Sequence, residues 1–320
     1  MDKRRRDHRG RGTLARVTFD PRQPFLLGRA TRAGLPRRAV QSATYRRLLP
    51  GVYVDARVKV DGRVEALAAL LLVGADAFIS HHQAARLYGA VVPDTVVMHA
   101  SIPGNRHRSR RPELTVHRSA RVPTRFRGVP VTTPEDTFLD LAGHLTLVDL
   151  VVLGDSLVRR GRTTPDRLVA AAESAGPRLR RATLRAARLV RHGVDSAMET
   201  RSRLLVVLAG LPEPEVNVCF WSPDGQLLRR LDLAYRAARL ALEYDGRQHA
   251  LSQAQWESDV ARREEFDAED WRIVVLLAKD IYRTPARTLD RLVAAMRKAG
   301  MEVPPLSDEW RRHFPGHATA

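Results

Sequence analysis

The chain has almost no cysteine, since Cys219 is the single one among 320 residues. One cysteine excludes an intrachain disulfide framework and any zinc site built from several cysteines. No stretch reaches the roughly 18 consecutive apolar residues of a transmembrane helix. The N-terminal MDKRRRDHRGRG also lacks the apolar segment that follows the charged start of a secretory signal. The sequence therefore predicts a cytoplasmic protein that has no membrane partner.

Acidic residues are also in short supply, with 36 Asp and Glu against 54 Lys and Arg, a formal net charge of +18. Such an excess favours polyanions, of which nucleic acid is the commonest in a cell. An arginine-rich composition inherited from GC-rich DNA would produce the same excess without any function. The charge therefore indicates a DNA partner and leaves the compositional explanation open.

Changes of composition along the chain divide it into five predicted segments. Residues 1–20 are polar and arginine-rich, and we expect a disordered tail that either follows DNA phosphates or is simply solvated. Residues 21–56 predict a winged helix-turn-helix, residues 57–192 a mixed α/β middle domain, and residues 193–303 a second α/β domain. Residues 304–320 form a C-terminal tail. The predicted fold class is therefore α/β (α+β).

The prediction for residues 21–56 depends on the order of its turn and cap signals. Gly34 would end a first short helix, and Pro36 suits the first turn of a second one. The run YRRLLPGVYV at 45–54 then indicates two short strands joined by a Pro-Gly turn. Two helices followed by a hairpin are typical of a winged helix-turn-helix. Its candidate DNA-contacting residues are Arg37, Arg38, Arg46 and Arg47.

This hairpin resembles the N-terminal winged-helix domain of AbiEi-type antitoxins. The residues LLPGVY at 48–53 match that family's L-x-x-G-V-Y pattern. The resemblance is close over about the first 55 residues and fades through the middle region. It implies a DNA-binding domain followed by an antitoxin-like middle domain. It also implies a protein partner, which would be a cognate toxin or a second copy of the chain.

The middle region carries fewer chemical signals. Its loop RHRSRR at 106–111 is basic and suits a phosphate backbone. His81 and His82 are adjacent, so on a helix they would point about 100° apart and could not easily share a metal. We interpret both histidines as structural. The candidate DNA-contacting residues of the basic loop are Arg108, Arg110 and Arg111.

In the last third, two acidic residues are predicted to face each other across a hairpin. Two strand-like runs flank the four-residue loop 236–239, and an antiparallel pairing would place Tyr235 opposite Leu240. Counting back along both strands pairs Asp232 with Glu243. Directly opposed residues share one face of a sheet, with Cβ atoms about 5 Å apart.

A third acid, Asp245, lies two residues further on and shares the same face. Like charges opposed across a ladder repel, so a divalent cation is the natural compensation. Mg²⁺ (or Mn²⁺) prefers carboxylate, water and phosphate oxygens, and a metal-bound water can attack a phosphodiester. We therefore expect a metal site with Asp232 and Glu243 as ligands.

The same residues resemble the very-short-patch-repair-like endonucleases of the PD-(D/E)XK restriction-endonuclease-like superfamily. The match spans roughly residues 195–300 and combines several short motifs. These are a helix with Glu199, a strand with Asp232, the strand end EYDG at 243–246 with His249 nearby, DVARR at 259–263 and WRIV at 271–274. The resemblance implies a central mixed sheet flanked by helices, with metal-dependent cleavage of DNA. The catalytic residues it implies are Glu199, Asp232, Glu243, Asp245 and His249, and the DNA-contacting ones are Arg262 and Arg263.

One position departs from that superfamily, because Asp245 stands where its third motif residue is usually lysine. The charge-stabilising role must then fall to His249, Arg262, Arg263 or the more distant Lys279. Each motif also has a structural alternative: Glu199 completes the capping box SAME at 196–199, and Asp245-Gly246 suits a turn.

Three functions therefore remain open. The first is a Mg²⁺-dependent DNA endonuclease. The alternative is a non-catalytic transcriptional regulator or antitoxin of a toxin–antitoxin system, whose nuclease fold has lost its activity. The third is a toxin–antitoxin fusion that carries both activities.

Overall fold

The computed structural model describes residues 19–104, 111–246 and 270–316. Helices and strands are mixed throughout this part of the chain, and the strands form three sheets. The protein therefore has the predicted α/β fold. None of its described helices is both long and apolar enough to cross a bilayer.

The N-terminal segment contains the predicted pair of short helices and the hairpin, with one additional strand. The sequence pattern from Phe25 onward predicts a short helix, but Phe25 and Leu26 pair instead with the second hairpin strand. The left-handed φ of 96° at Gly34 helps to end the first helix. The elements are β1 (Phe25–Leu26), α1 (Leu27–Arg32), α2 (Arg37–Val40), β2 (Tyr45–Leu49) and β3 (Val52–Asp55), with sheet order β1-β3-β2.

The middle segment contains a five-stranded mixed sheet with helices packed against it. Three of its strands have only two or three residues, too few to show the alternation by which a strand is recognised in a sequence. The elements are α3 (Gly62–Val73), β4 (Phe78–Ile79), α4 (His81–Tyr88), β5 (Met98–Ile102), β6 (Leu114–Arg118), β7 (Thr124–Phe126) and β8 (Val129–Val131), with sheet order β6-β5-β4-β8-β7.

Four helices follow this sheet. The hydroxyls of Thr133 and Thr164 each accept a backbone hydrogen bond at a helix start, and a proline occupies the next position. The helices are α5 (Pro134–Leu141), α6 (Leu147–Arg159), α7 (Pro165–Glu173) and α8 (Pro177–Leu189).

The C-terminal segment contains the predicted mixed sheet with helices. Its strand order is β12-β11-β10-β9, with β11 and β12 parallel and the other pairs antiparallel. The sequence pattern over 253–268 predicts a further helix, and these residues lie outside the described part of the chain. The elements are α9 (Ala197–Leu208), β9 (Glu215–Trp221), β10 (Leu227–Tyr235), β11 (Leu240–Tyr244), β12 (Arg272–Leu276), α10 (Ala278–Tyr282) and α11 (Pro285–Lys298).

The hydrophobic core is continuous across residue 193, where the sequence predicts the boundary between the middle and C-terminal domains. One cluster of buried side chains includes Leu153 of α6, Leu205 of α9 and Leu242 of β11. The middle and C-terminal segments therefore pack directly against each other, and the domain limits read from the sequence stay a prediction. The N-terminal segment has a small cluster of its own around Phe25 and Tyr53.

Candidate functional site

The hairpin of β10 and β11 has the register expected from its loop length. Tyr235 pairs with Leu240, and the ladder continues as far as Leu233 and Leu242. Asp232 and Glu243 therefore occupy the next opposed positions, at the end of the ladder.

At these positions the side-chain carboxylates accept hydrogen bonds from backbone N–H groups of the opposite strand. Glu243 Oε1 accepts a hydrogen bond of 3.0 Å from Asp232 N. Asp232 Oδ2 accepts one of 3.0 Å from Tyr244 N. Each acidic side chain thus reaches across to the opposite strand, and the two acids are immediate neighbours. An N–H donor stabilises the ionised form of a carboxylate, which is the form that binds a cation.

Glu199 lies close to this pair and also caps its own helix. Its Oε2 accepts hydrogen bonds from Asp195 N at 2.9 Å and from Asn217 Nδ2 at 3.1 Å. Burial raises the pKa of Glu199, the backbone hydrogen bond from Asp195 lowers it, and the negative charge of Asp232 raises it further. The Ser196 half of the expected capping box is present, since Ser196 Oγ accepts from Glu199 N at 3.1 Å. The Glu199 carboxylate binds the N–H of Asp195 in place of that of Ser196, and its charge interacts with that of Asp232.

The remaining residues of the predicted nuclease site are placed only in part. Asp245 is half-buried, and its N–H donates to Leu276 O at 2.9 Å, which extends the contact between β11 and β12. Lys279 is exposed on α10, which follows β12 at the same end of the sheet. His249, Arg262 and Arg263 lie outside the described residues.

The predicted DNA-contacting arginines of the N-terminal segment are exposed. Arg37 and Arg38 lie on α2, and Arg46 and Arg47 lie on the first hairpin strand. Within the described part of the chain, none of the four forms an ion pair. Arg111 joins this region, since its Nη1 donates to Pro50 O at 3.4 Å in the hairpin turn. Arg108 and Arg110 lie outside the described residues.

A second group of chemically active side chains lies in the middle segment. His81, His99 and His117 each present a ring nitrogen, and these three atoms lie within 4.8 Å of one another. Among the residues that the structure describes, these histidines form a group of three potential metal ligands. The described carboxylates of the C-terminal sheet do not form a group of this kind. His81 was interpreted as structural because only its neighbour His82 was considered as a partner.

Residues 68–191 match the family model described as the AbiEi antitoxin C-terminal domain. The match runs from within α3 to just beyond α8, and it therefore includes the three histidines. The resemblance to AbiEi-type antitoxins implied an antitoxin-like middle domain, and this match supports it, although the resemblance was expected to fade here. Residues 48–53, on which the resemblance was based, lie outside the match. Residues 193–303 lie outside the match, so the nuclease resemblance stays a prediction.

Two proteins of Mycobacterium tuberculosis are similar to the chain over most of its length. They are the uncharacterized proteins MT2308 of strain CDC 1551 / Oshkosh and Rv2248 of strain ATCC 25618 / H37Rv. Each is 29% identical over 258 residues, which cover 78% of this chain and 92% of the relative. The similarity therefore extends well beyond the antitoxin match.

Proposed function

We propose that the protein is a DNA-binding regulator of the toxin–antitoxin type. The observation that carries this proposal is the antitoxin domain at residues 68–191, preceded by a helix pair and hairpin with exposed arginines. In this arrangement the N-terminal segment binds DNA and the middle segment binds a cognate toxin.

The charges of the N-terminal segment support the DNA-binding part. Arginines on α2 and on the first hairpin strand are exposed and without acidic partners in the described residues, so their charge is available to phosphates. Arg111 also contacts the hairpin turn, and its charge is partly balanced by Glu113, whose Oε1 lies 3.6 Å from Arg111 Nη1. Phosphate contacts of this kind supply affinity and position the protein, whereas contacts to base edges supply sequence specificity.

Footprinting with the full chain tests this function. The DNA is the region upstream of the protein's own coding sequence, and the comparison is unrelated DNA of the same length and base composition. We expect one protected site, with an affinity at least about 10³-fold above that for unrelated DNA. Equal affinity for both DNAs would show that the charge binds DNA without selecting a site, and would contradict the regulator.

A second candidate function, metal-dependent DNA cleavage, is favoured by the reciprocal hydrogen bonds of Asp232 and Glu243. The oxygen donors of these two side chains suit Mg²⁺ or Mn²⁺. The charge of Glu199 interacts with that of Asp232, and Glu199 would position the attacking water. A bound metal would lower the pKa of a water and neutralise charge on the phosphate. Cleavage of DNA by the full chain, dependent on added Mg²⁺, separates this candidate from a regulator that only binds.

A further inference from the structure

The three histidines of the middle segment are brought together by a sheet and a helix. In the parallel pair of β5 and β6, His99 lies opposite Thr115 and Ser101 lies opposite His117. Side chains alternate between the faces of a strand, so His99 and His117 share one face of the sheet. His81 begins α4, which packs against β5 on that face.

The distances within the cluster are close to those of a metal site. His99 Nδ1 lies 2.9 Å from His117 Nε2, and the rings of His81 and His117 are stacked with centroids 3.7 Å apart. Zinc binds imidazole nitrogen at about 2.0–2.1 Å in tetrahedral geometry, which places two of its ligand nitrogens about 3.3 Å apart. The pair of His99 and His117 would need to open by only a few tenths of an ångström. The His81 ring, which lies at 12° to that of His117, would need to turn until its own plane contains the ion.

The protonation state of the cluster also suits a metal. Burial lowers the pKa of His81 to about 2, and the pKa values of His99 and His117 to about 4. The charges of the neighbouring histidines lower all three values further. Burial thus favours the neutral ring, which is the form that offers a lone pair to a metal.

His81 is held in its position by an unusual backbone and by a chain of hydroxyl groups. Its φ is 52°, a left-handed conformation that residues other than glycine rarely adopt. The Ser80 hydroxyl lies 3.0 Å from His81 Nδ1, and Ser101 Oγ donates to Ser80 Oγ at 2.8 Å. Strained backbone and oriented imidazoles are features that occur at ligand sites.

A carboxylate lies just outside the three nitrogens. Asp140 Oδ2 is 3.8 Å from His81 Nδ1, and Asp140 Oδ1 accepts a hydrogen bond of 3.0 Å from Arg121 Nε. An acid at this position would balance part of the charge of a cation without being one of its ligands. The His144 ring closes another side, with its centroid 5.2 Å from that of His81.

We propose that His81, His99 and His117 bind one Zn²⁺ ion in the antitoxin-like segment. Three imidazoles select a transition metal of intermediate softness over Mg²⁺ and Ca²⁺, which prefer oxygen ligands. The ion ties β5, β6 and the start of α4 together, and its fourth position is open to water or to a ligand from outside. This site is independent of the acidic pair in the C-terminal sheet and of DNA binding.

Calorimetric titration of the chelator-treated full chain with Zn²⁺ tests the site. We expect one ion per chain, and an affinity reduced by more than about 100-fold in His99→Gln and in His117→Gln. The matched control is His192→Gln, which removes an exposed histidine of the same segment and leaves the affinity unchanged. Mg²⁺ in place of Zn²⁺ should produce no binding heat.

Two outcomes overturn the proposal. One is equal Zn²⁺ affinity in the two cluster variants and in the control, because the ion then binds elsewhere. The other is the absence of Zn²⁺ binding to the wild-type chain. If the variants do not fold, X-ray absorption of the zinc-loaded wild-type protein tests the zinc site directly. Three imidazole ligands per ion support the site, and fewer than three contradict it.

Discussion

Asp155 and Arg203 form an ion pair inside the protein, with Arg203 Nη2 3.0 Å from Asp155 Oδ2 and side chains 0% and 2% exposed. Asp155 lies on α6 and Arg203 on α9, so the pair joins the middle segment to the C-terminal one. Burial raises the pKa of the Asp155 carboxyl, while Arg203 and the N–H of Arg191 lower it. Two charged groups can remain in this interior because they pair with each other, and Arg203 Nη1 also lies 2.9 Å from Glu213 Oε1.

Removing one member of this pair should therefore destabilise the whole protein. We expect Arg203→Met to lower the free energy of unfolding by about 3–5 kcal/mol, because it leaves the Asp155 carboxyl buried without its cation. Urea unfolding measures the change. The control is Arg236→Met, since Arg236 and Glu215 are each about half exposed and such pairs contribute at most about 1 kcal/mol. A loss no larger in Arg203→Met than in the control would refute a stabilising role for the buried pair.

The arginines of α2 should contribute to DNA binding through phosphates. We expect the double change Arg37→Ala and Arg38→Ala to weaken binding to all DNA sequences. It should also make the slope of log K against log salt shallower by about 2, because two phosphates are no longer neutralised. The measurement is a binding titration at several salt concentrations.

A control with the same change of charge is available on α8. Arg178 and Arg181 are exposed there, in the middle segment. Replacing both by alanine should leave the salt slope within experimental error of the wild type. Similar losses from both double variants would mean that the overall charge, and not the helix pair, binds DNA.

Variants of Asp232 and Glu243, the acidic pair of the C-terminal sheet, test whether the protein is a nuclease. If the chain cleaves DNA with Mg²⁺ or Mn²⁺, Asp232→Asn and Glu243→Gln should each reduce the rate by at least about 100-fold, because each removes a metal ligand. Asp290→Asn, which neutralises an exposed acid of α11, should leave the rate unchanged. Metal-dependent cleavage that persists in both site variants would place the activity elsewhere.

Gly62 should be required for the close approach of α3 to α4. A Cβ atom at this position would lie 2.7 Å from the backbone oxygen of Arg86, which cannot move without displacing α4. We expect Gly62→Ala to lower the free energy of unfolding by about 1–3 kcal/mol. Because α4 carries His81, the same variant should also bind Zn²⁺ more weakly than the wild type.

The matched control for Gly62 is Gly28→Ala in α1. A Cβ atom at Gly28 would meet nothing within 4 Å, so the better helix propensity of alanine should stabilise the protein by about 0.5–1 kcal/mol. If Gly62→Ala lowers the free energy of unfolding while Gly28→Ala raises it, the loss at Gly62 comes from the contact with Arg86. A neutral or stabilising Gly62→Ala would contradict it.

Local sequence signals were sufficient for the hairpins. Pro-Gly marks the turn between β2 and β3, and the four-residue loop 236–239 determines that Tyr235 faces Leu240. In an antiparallel hairpin the register follows from the loop length, and the alternation of side chains then assigns each residue to a face. The opposed positions of Asp232 and Glu243 could therefore be counted from the sequence before the structure was known.

The histidine cluster could not be found in the same way. The offset between β5 and β6 follows from a parallel pairing across a long connection, and no short pattern specifies it. The strands β4 and β7 have only two and three residues and are defined by pairing with their neighbours, so no alternation marks them in the sequence.

The sequence by itself determined the basic charge, the order of most helices and strands, and the facing of Asp232 and Glu243, because these depend on composition and short-range geometry. The tertiary structure decided that His81 meets His99 and His117, and that Arg203 enters the core beside Asp155. Such contacts join residues far apart in the chain, and only the packing of whole elements brings them together.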